Sequence, residues 1–135
     1  MKKYEILEHK ADLKIRAFGK DKKELFSNML LAMAESQKPE IKGKQKNKRQ
    51  IKIKSLDLAV LLVDFLSEAL YLSQVNKEIY FDINFKKFSN TEIEGELIGQ
   101  KVERFGEDIK AVTYHSLDIH QKKDKTWEVT ILFDI

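Results

Sequence analysis

At 135 residues, with 42% hydrophobic content and a single proline, the chain is long enough for one domain with its own core and too apolar for intrinsic disorder. It has no cysteine, which excludes disulfides and thiolate metal sites. The net charge of +3 is unevenly spread: Lys38 to Lys54 hold eight basic residues against Glu40 alone, leaving 17 basic and 21 acidic residues elsewhere. No apolar run approaches the roughly 18 residues needed to span a bilayer. The basic N-terminus has no apolar region behind it, as a signal peptide requires. A cytoplasmic protein with no membrane contact is expected.

In chain order, residues 3–7 and 12–18 read as two short strands, with Leu13, Ile15 and Ala17 on one face. Gly19-Lys20 turns the chain, and Asp21 to Glu24 resemble a capping box. Leu25, Phe26, Met29, Leu30 and Met33 recur at helical spacing, predicting a helix of about three turns that fades before Pro39. Within the basic stretch that follows, Ile51 and Ile53 alternate with lysines as a short strand, and the residues before them read as a solvated loop. "SLDLAVLLVDFLSEALYLSQV" predicts the longest helix, with Ser55 as its cap, Asp57 in the first turn and no breaker before Val75.

The rest is strand. Ile79, Phe81, Ile83 and Phe85 form one apolar face, and Ser89-Asn90 is a turn. Ile93, Gly95 and Leu97 face inward while Glu92, Glu94 and Glu96 face out. A strand near 110–120 and a last one near 126–135 are joined around Lys123-Asp124. Two helices among alternating strands give an α+β fold: a two-layer sandwich, both helices packed on one face of a largely antiparallel sheet.

Phosphate-binding, dinucleotide, zincin, hydrolase-elbow and EF-hand motifs are absent. His9, His115 and His120 have no metal-ligand spacing. Asp64 and Glu68, four apart on the long helix, read as its solvated stripe. Asp12 and Asp134 face away from the core by strand alternation, and Ile135 faces inward. If the strands bearing them were neighbours, the two aspartates and the end of the chain would form an all-oxygen cluster suited to a hard cation. A hydrolase built on them lacks an identifiable nucleophile or base. Lys44, Lys46, Lys48 and Arg49 are the candidates for contact with nucleic acid, without the interleaved aromatics that stack single-stranded bases.

"HKAD", "KELFSNMLLAMAE", "LLVDFLSEALYL", "IKAVTYHSLDI" and the final "FDI", in that order over nearly the whole chain, resemble the archease family. The resemblance implies a non-catalytic protein cofactor of the GTP-dependent RNA ligase of the RtcB type. Such a cofactor promotes guanylylation and multiple turnover in tRNA splicing and RNA repair. It also implies an acidic metal site, calcium being the expected ion. Carried over, its residues are Asp12, Asp134 and Ile135, the last through backbone oxygen or terminal carboxylate. Lys110 joins the same functional cluster. His9 and His115 match motif positions. The sequence departs from the family at Lys10, where a small Thr is common, and at Gln100, where Glu often stands. Both departures bear on metal affinity. The alternative is an RNA-binding or chaperone-like module that assists a tRNA-modifying enzyme through residues 38–54.

Overall fold

Why seven strands here do not make one sheet is a matter of which backbone edges meet. The computed structural model describes the backbone of all 135 residues and every side chain except that of Ser116. β1 (Tyr4–His9) and β2 (Asp12–Gly19) form a hairpin and precede α1 (Lys22–Ser36). β3 (Pro39–Lys54) and α2 (Leu58–Asn76) follow, then β4 (Glu78–Phe88), β5 (Glu92–Phe105), β6 (Ala111–Gln121) and β7 (Trp127–Asp134). All pairings are antiparallel, and hydrogen bonding divides the strands between a sheet ordered β1-β2-β7-β6 and another ordered β3-β5-β4. The expected α+β class is what the chain adopts, with its strands in two sheets. α1 packs on β2 and β4, and α2 on β6 and β4, so each helix touches both sheets and one core is shared.

The helices follow from their caps and stripes. Asp21 accepts from the Glu24 N–H at 2.8 Å, and Glu24 reaches back to the Lys20 N–H at 3.0 Å, one residue earlier than a reciprocal capping box would place it. Leu25, Phe26, Met29, Leu30 and Met33 are all buried, as their spacing predicts. α1 runs a turn further than expected, closing at Gln37 before Lys38 takes a left-handed conformation. The cap of α2 is Asp57, which accepts from the Val60 N–H at 2.9 Å; Ser55, the expected cap, instead donates to Asp64. By length and composition α2 could cross a bilayer, at a mean hydropathy of 1.6. The absence of a spanning-length apolar run is thus corrected, because scattered polar residues do not lower the average enough. Leu61, Leu62, Phe65 and Leu66 nevertheless spend their apolar surface in the core, where none of it is exposed.

β3 is the largest departure from expectation. The lysine-rich stretch is a 16-residue strand rather than a loop with a short strand behind it. Backbone pairing does not require apolar side chains when the partner strand offers matching charge. Lys52 and Lys54 lie directly across from Glu94 and Glu92 on β5 and reach them at 3.3 Å each. On β4 the register slips between Tyr80 and Asp82, so Tyr80 turns fully inward and Phe81 remains half-buried against a smaller cluster with Val102. Gly99 is what allows this close approach: a Cβ there would lie 2.1 Å from the Ile79 carbonyl oxygen.

Candidate functional site

β2 and β7 are neighbours, and Asp12 lies directly opposite Asp134 in their register. The flanking pairs Leu13–Phe133 and Ile15–Ile131 are fully buried, which turns both aspartates to the outer face of the sheet. Directly opposed residues of an antiparallel pair share a face with Cβ atoms about 5 Å apart, and like charges placed so are destabilising. Among the described residues no ion pair relieves either carboxylate. Asp12 is half-buried and Asp134 exposed. Ile135 follows with its side chain half-buried against the main core, anchoring the backbone beyond Asp134.

Lys110 comes to the same end of the sheet through its main chain. Its N–H donates to the Asp134 carbonyl oxygen at 2.7 Å, and the next residue, Ala111, pairs with Asp134 on the side of β7 opposite Asp12. The residue also lines an open depression of about 210 Å³ with Ser67, Tyr71 and Gln74 of α2. No ion pair among the described residues joins Lys110 to Asp12 or Asp134. His9 stands at the β1–β2 turn, with Nε2 2.5 Å from Glu107, which also meets Lys38 at 3.7 Å. His115 is exposed on β6, in a stretch where four residues of that strand, 114–117, loop out between the Thr113 and Asp118 pairings. His120 lies between Asp118 and Glu128, at 3.1 and 3.2 Å. Lys10 is exposed in the turn and donates its N–H to the Asp12 carbonyl oxygen at 3.2 Å. Gln100 belongs to the other sheet, opposite Lys46 and Ile79.

Among the described residues, no group of three or more His, Cys, Asp or Glu side chains gathers in a way that could hold a metal. What the register brings together for a cation is the two carboxylates of Asp12 and Asp134. That donor set is all oxygen, the kind Ca²⁺ takes, but Ca²⁺ uses 6–8 ligands, and the rest must come from water or a partner.

Asp64 is not merely part of a solvated stripe. It is half-buried and accepts from Ser55 Oγ at 2.6 Å and Tyr114 Oη at 3.3 Å. Burial and the Asp64 charge together hold the Tyr114 phenol above its usual range.

The basic candidates divide into two kinds. Lys48 pairs with Glu96 at 3.7 Å. Arg49 is partly exposed and is held by the buried Glu78 through two hydrogen bonds, 2.8 and 3.1 Å. Lys44 and Lys46 are exposed and make no ion pair among the described residues. Sequence reasoning missed Glu78. It is fully buried and accepts from Asn47 and Tyr80 as well as Arg49, with Lys101 3.8 Å away. The signal was present in parity: Asn47 and Arg49 share the face of Ile51 and Ile53, so their polar groups must find partners inside.

The model of the Archease protein family matches residues 4–135. A protein archease from Methanosarcina barkeri is 38% identical over 99% of this chain and 97% of its own length. The crystal structure of an archease, described as a possible chaperone, from Thermotoga maritima superposes with a TM-score of 0.70 at 18% identity, covering 97% of this chain and 96% of that one. The solution structure of a Methanobacterium thermoautotrophicum protein gives a TM-score of 0.69 at 23% identity over the whole of both chains. With its sequence matched from β1 to the last residue and its fold shared with these structures, the chain belongs to the archease family.

Proposed function

We propose that the protein is a non-catalytic cytoplasmic cofactor of a GTP-dependent RNA ligase of the RtcB type, acting in tRNA splicing or RNA repair. Its working end is the Asp12–Asp134 pair, with Ile135 fixing the backbone beyond it and Lys110 holding the Asp134 carbonyl from the side. The observation that carries this reading is the direct cross-strand opposition of two aspartates that make no ion pair among the described residues. Such a pair costs stability in the free protein, so its use lies in something brought to it.

Asp12, Asp134 and the Ile135 main-chain oxygen would hold a divalent cation, calcium by ligand type, at the surface that meets the ligase. A cation there supplies positive charge for phosphate oxygens. The chain's own residues set its position: β2 and β7 hold the carboxylates in register, and the buried Leu13 and Phe133 keep both facing out. Catalysis of phosphoryl transfer rests largely on positioned charge, which lets a small acidic partner change the rate of nucleotide loading without reacting itself. Lys10 and Lys14, each two residues from Asp12, and Lys110, beside Asp134 through its main chain, are positive groups near in sequence and pairing. They moderate the site's affinity for the cation.

The test is guanylylation of the cognate ligase, followed as label transfer from GTP with ligase in excess of the cofactor. Wild-type protein is expected to accelerate loading, and Asp134→Ala to abolish the acceleration while keeping the wild-type circular dichroism spectrum. Acceleration by Asp134→Ala equal to wild type would overturn the reading.

A further inference from the structure

The basic strand carries a second feature that the acidic end does not use. Between the Ile41–Val102 and Lys46–Gln100 pairings, β3 spends four residues where β5 spends one, so Lys42, Gly43, Lys44 and Gln45 are pushed out of the ladder. Gly43 takes φ +76°, a left-handed conformation that turns the chain there and suits glycine. The excursion closes over an open depression of about 640 Å³, lined by Lys42, Gly43, Lys44, Gln45, Asn47 and Lys101. No carboxylate lines it. Glu78, 3.8 Å from Lys101, is buried and already accepts hydrogen bonds from Arg49, Asn47 and Tyr80.

The other lysines of the strand are in a different state. Lys48, Lys52 and Lys54 lie against Glu96, Glu94 and Glu92, whose negative charge offsets theirs, with Glu92 shared between Lys54 and Lys87. Lys42, Lys44 and Lys46 make no ion pair among the described residues and are exposed. Uncompensated positive charge is therefore concentrated at the excursion and not spread along the strand. Its base is rigid, because Asn47 and Arg49 are tied to the buried Glu78.

We propose that this excursion, through Lys42, Lys44, Lys46 and Lys101, is a binding site for the phosphodiester backbone of single-stranded RNA. The choice of RNA among polyanions rests on the ligase-cofactor reading; the site itself rests on geometry and charge. No aromatic ring lines the depression, so there is no platform for stacking bases. Binding is consequently indifferent to sequence and steep in salt, each neutralised phosphate adding about 0.7 to the slope of log K against log salt for a single strand.

The test is fluorescence anisotropy with a labelled RNA of mixed sequence, comparing two triple variants of equal charge. Lys42→Gln/Lys44→Gln/Lys46→Gln is expected to weaken binding at least tenfold at low salt and to lower the salt slope by about 2. Lys48→Gln/Lys52→Gln/Lys54→Gln is expected to change affinity less than threefold. Both are first checked for a wild-type melting profile, and Lys101→Gln alone serves if the first triple does not fold. Asp134→Ala should bind RNA as wild type does, which separates failure here from failure of the ligase reading. Equal losses from the two triples would overturn the site, since net charge alone would then explain binding. So would no binding by wild type, or preference for phosphatidylserine vesicles over RNA.

Discussion

Two carboxylates facing each other across neighbouring strands repel, and folded proteins seldom leave such a pair unrelieved. Replacing Asp134 by Asn removes the repulsion and keeps the shape. The isolated protein should then be more stable by about 0.2–1 kcal/mol in urea unfolding while losing its effect on the ligase. A drop in stability would mean that Asp134 has a structural partner. The opposite behaviour is expected at Glu78. Burial pushes its carboxyl up, but hydrogen bonds from Arg49 and Tyr80 and the charges of Arg49 and Lys101 outweigh burial and hold it below its ordinary value of 4.5. A carboxyl whose folded value is depressed stabilises the fold fully above its unfolded value and loses that contribution as pH falls through the folded one. Wild type should therefore lose stability as pH falls below about 4.5 more steeply than Glu78→Gln does, as urea midpoints across pH will register. Glu78→Ala, which takes their buried acceptor from Arg49, Asn47 and Tyr80, should lower the urea midpoint at neutral pH.

At the scale of elements, the cap of α2 separates two neighbouring candidates. Asp57→Ala removes the acceptor for the Val60 N–H and should cost about 1 kcal/mol. Ser55→Ala loses a hydrogen bond to Asp64 instead and leaves the helix start intact; a helical signal that falls only in the Asp57 variant checks the assignment. Sequence could not choose between them, since both residue types cap well and only the backbone at Asp57 decides. Alternation along β2 and β7 was legible because each has one buried face, and it correctly turned Asp12 and Asp134 outward. β3 was illegible for the converse reason. Its outer face is mostly lysine and the glutamates that pair with those lysines lie on a strand far along the chain, so no local hydrophobic period marks it. The slip in β4 hid similarly: Tyr80 and Phe81 exchange places because Gly99, on another strand, makes room.

Over the whole molecule, the division into two sheets sets two charged regions on separate frameworks. The acidic pair lies at one end of the β1-β2-β7-β6 sheet, and the uncompensated lysines lie on the β3-β5-β4 sheet. The opposition of Asp12 and Asp134 could not be read from one chain, because the register of residues 122 positions apart is set by the assembled core. The resemblance to archeases pointed to those residues, and the fold sets them directly opposite each other. A ligase cofactor that works through this pair to promote multiple turnover, as proposed above, has a direct kinetic signature. The decisive measurement is multiple-turnover RNA joining by the cognate ligase, with and without the folded protein. Wild type should raise the number of turnovers, and Asp12→Asn or Asp134→Asn should return it to the level of ligase alone. Unchanged turnover with wild-type protein in excess, or full stimulation by both variants, would contradict the assignment.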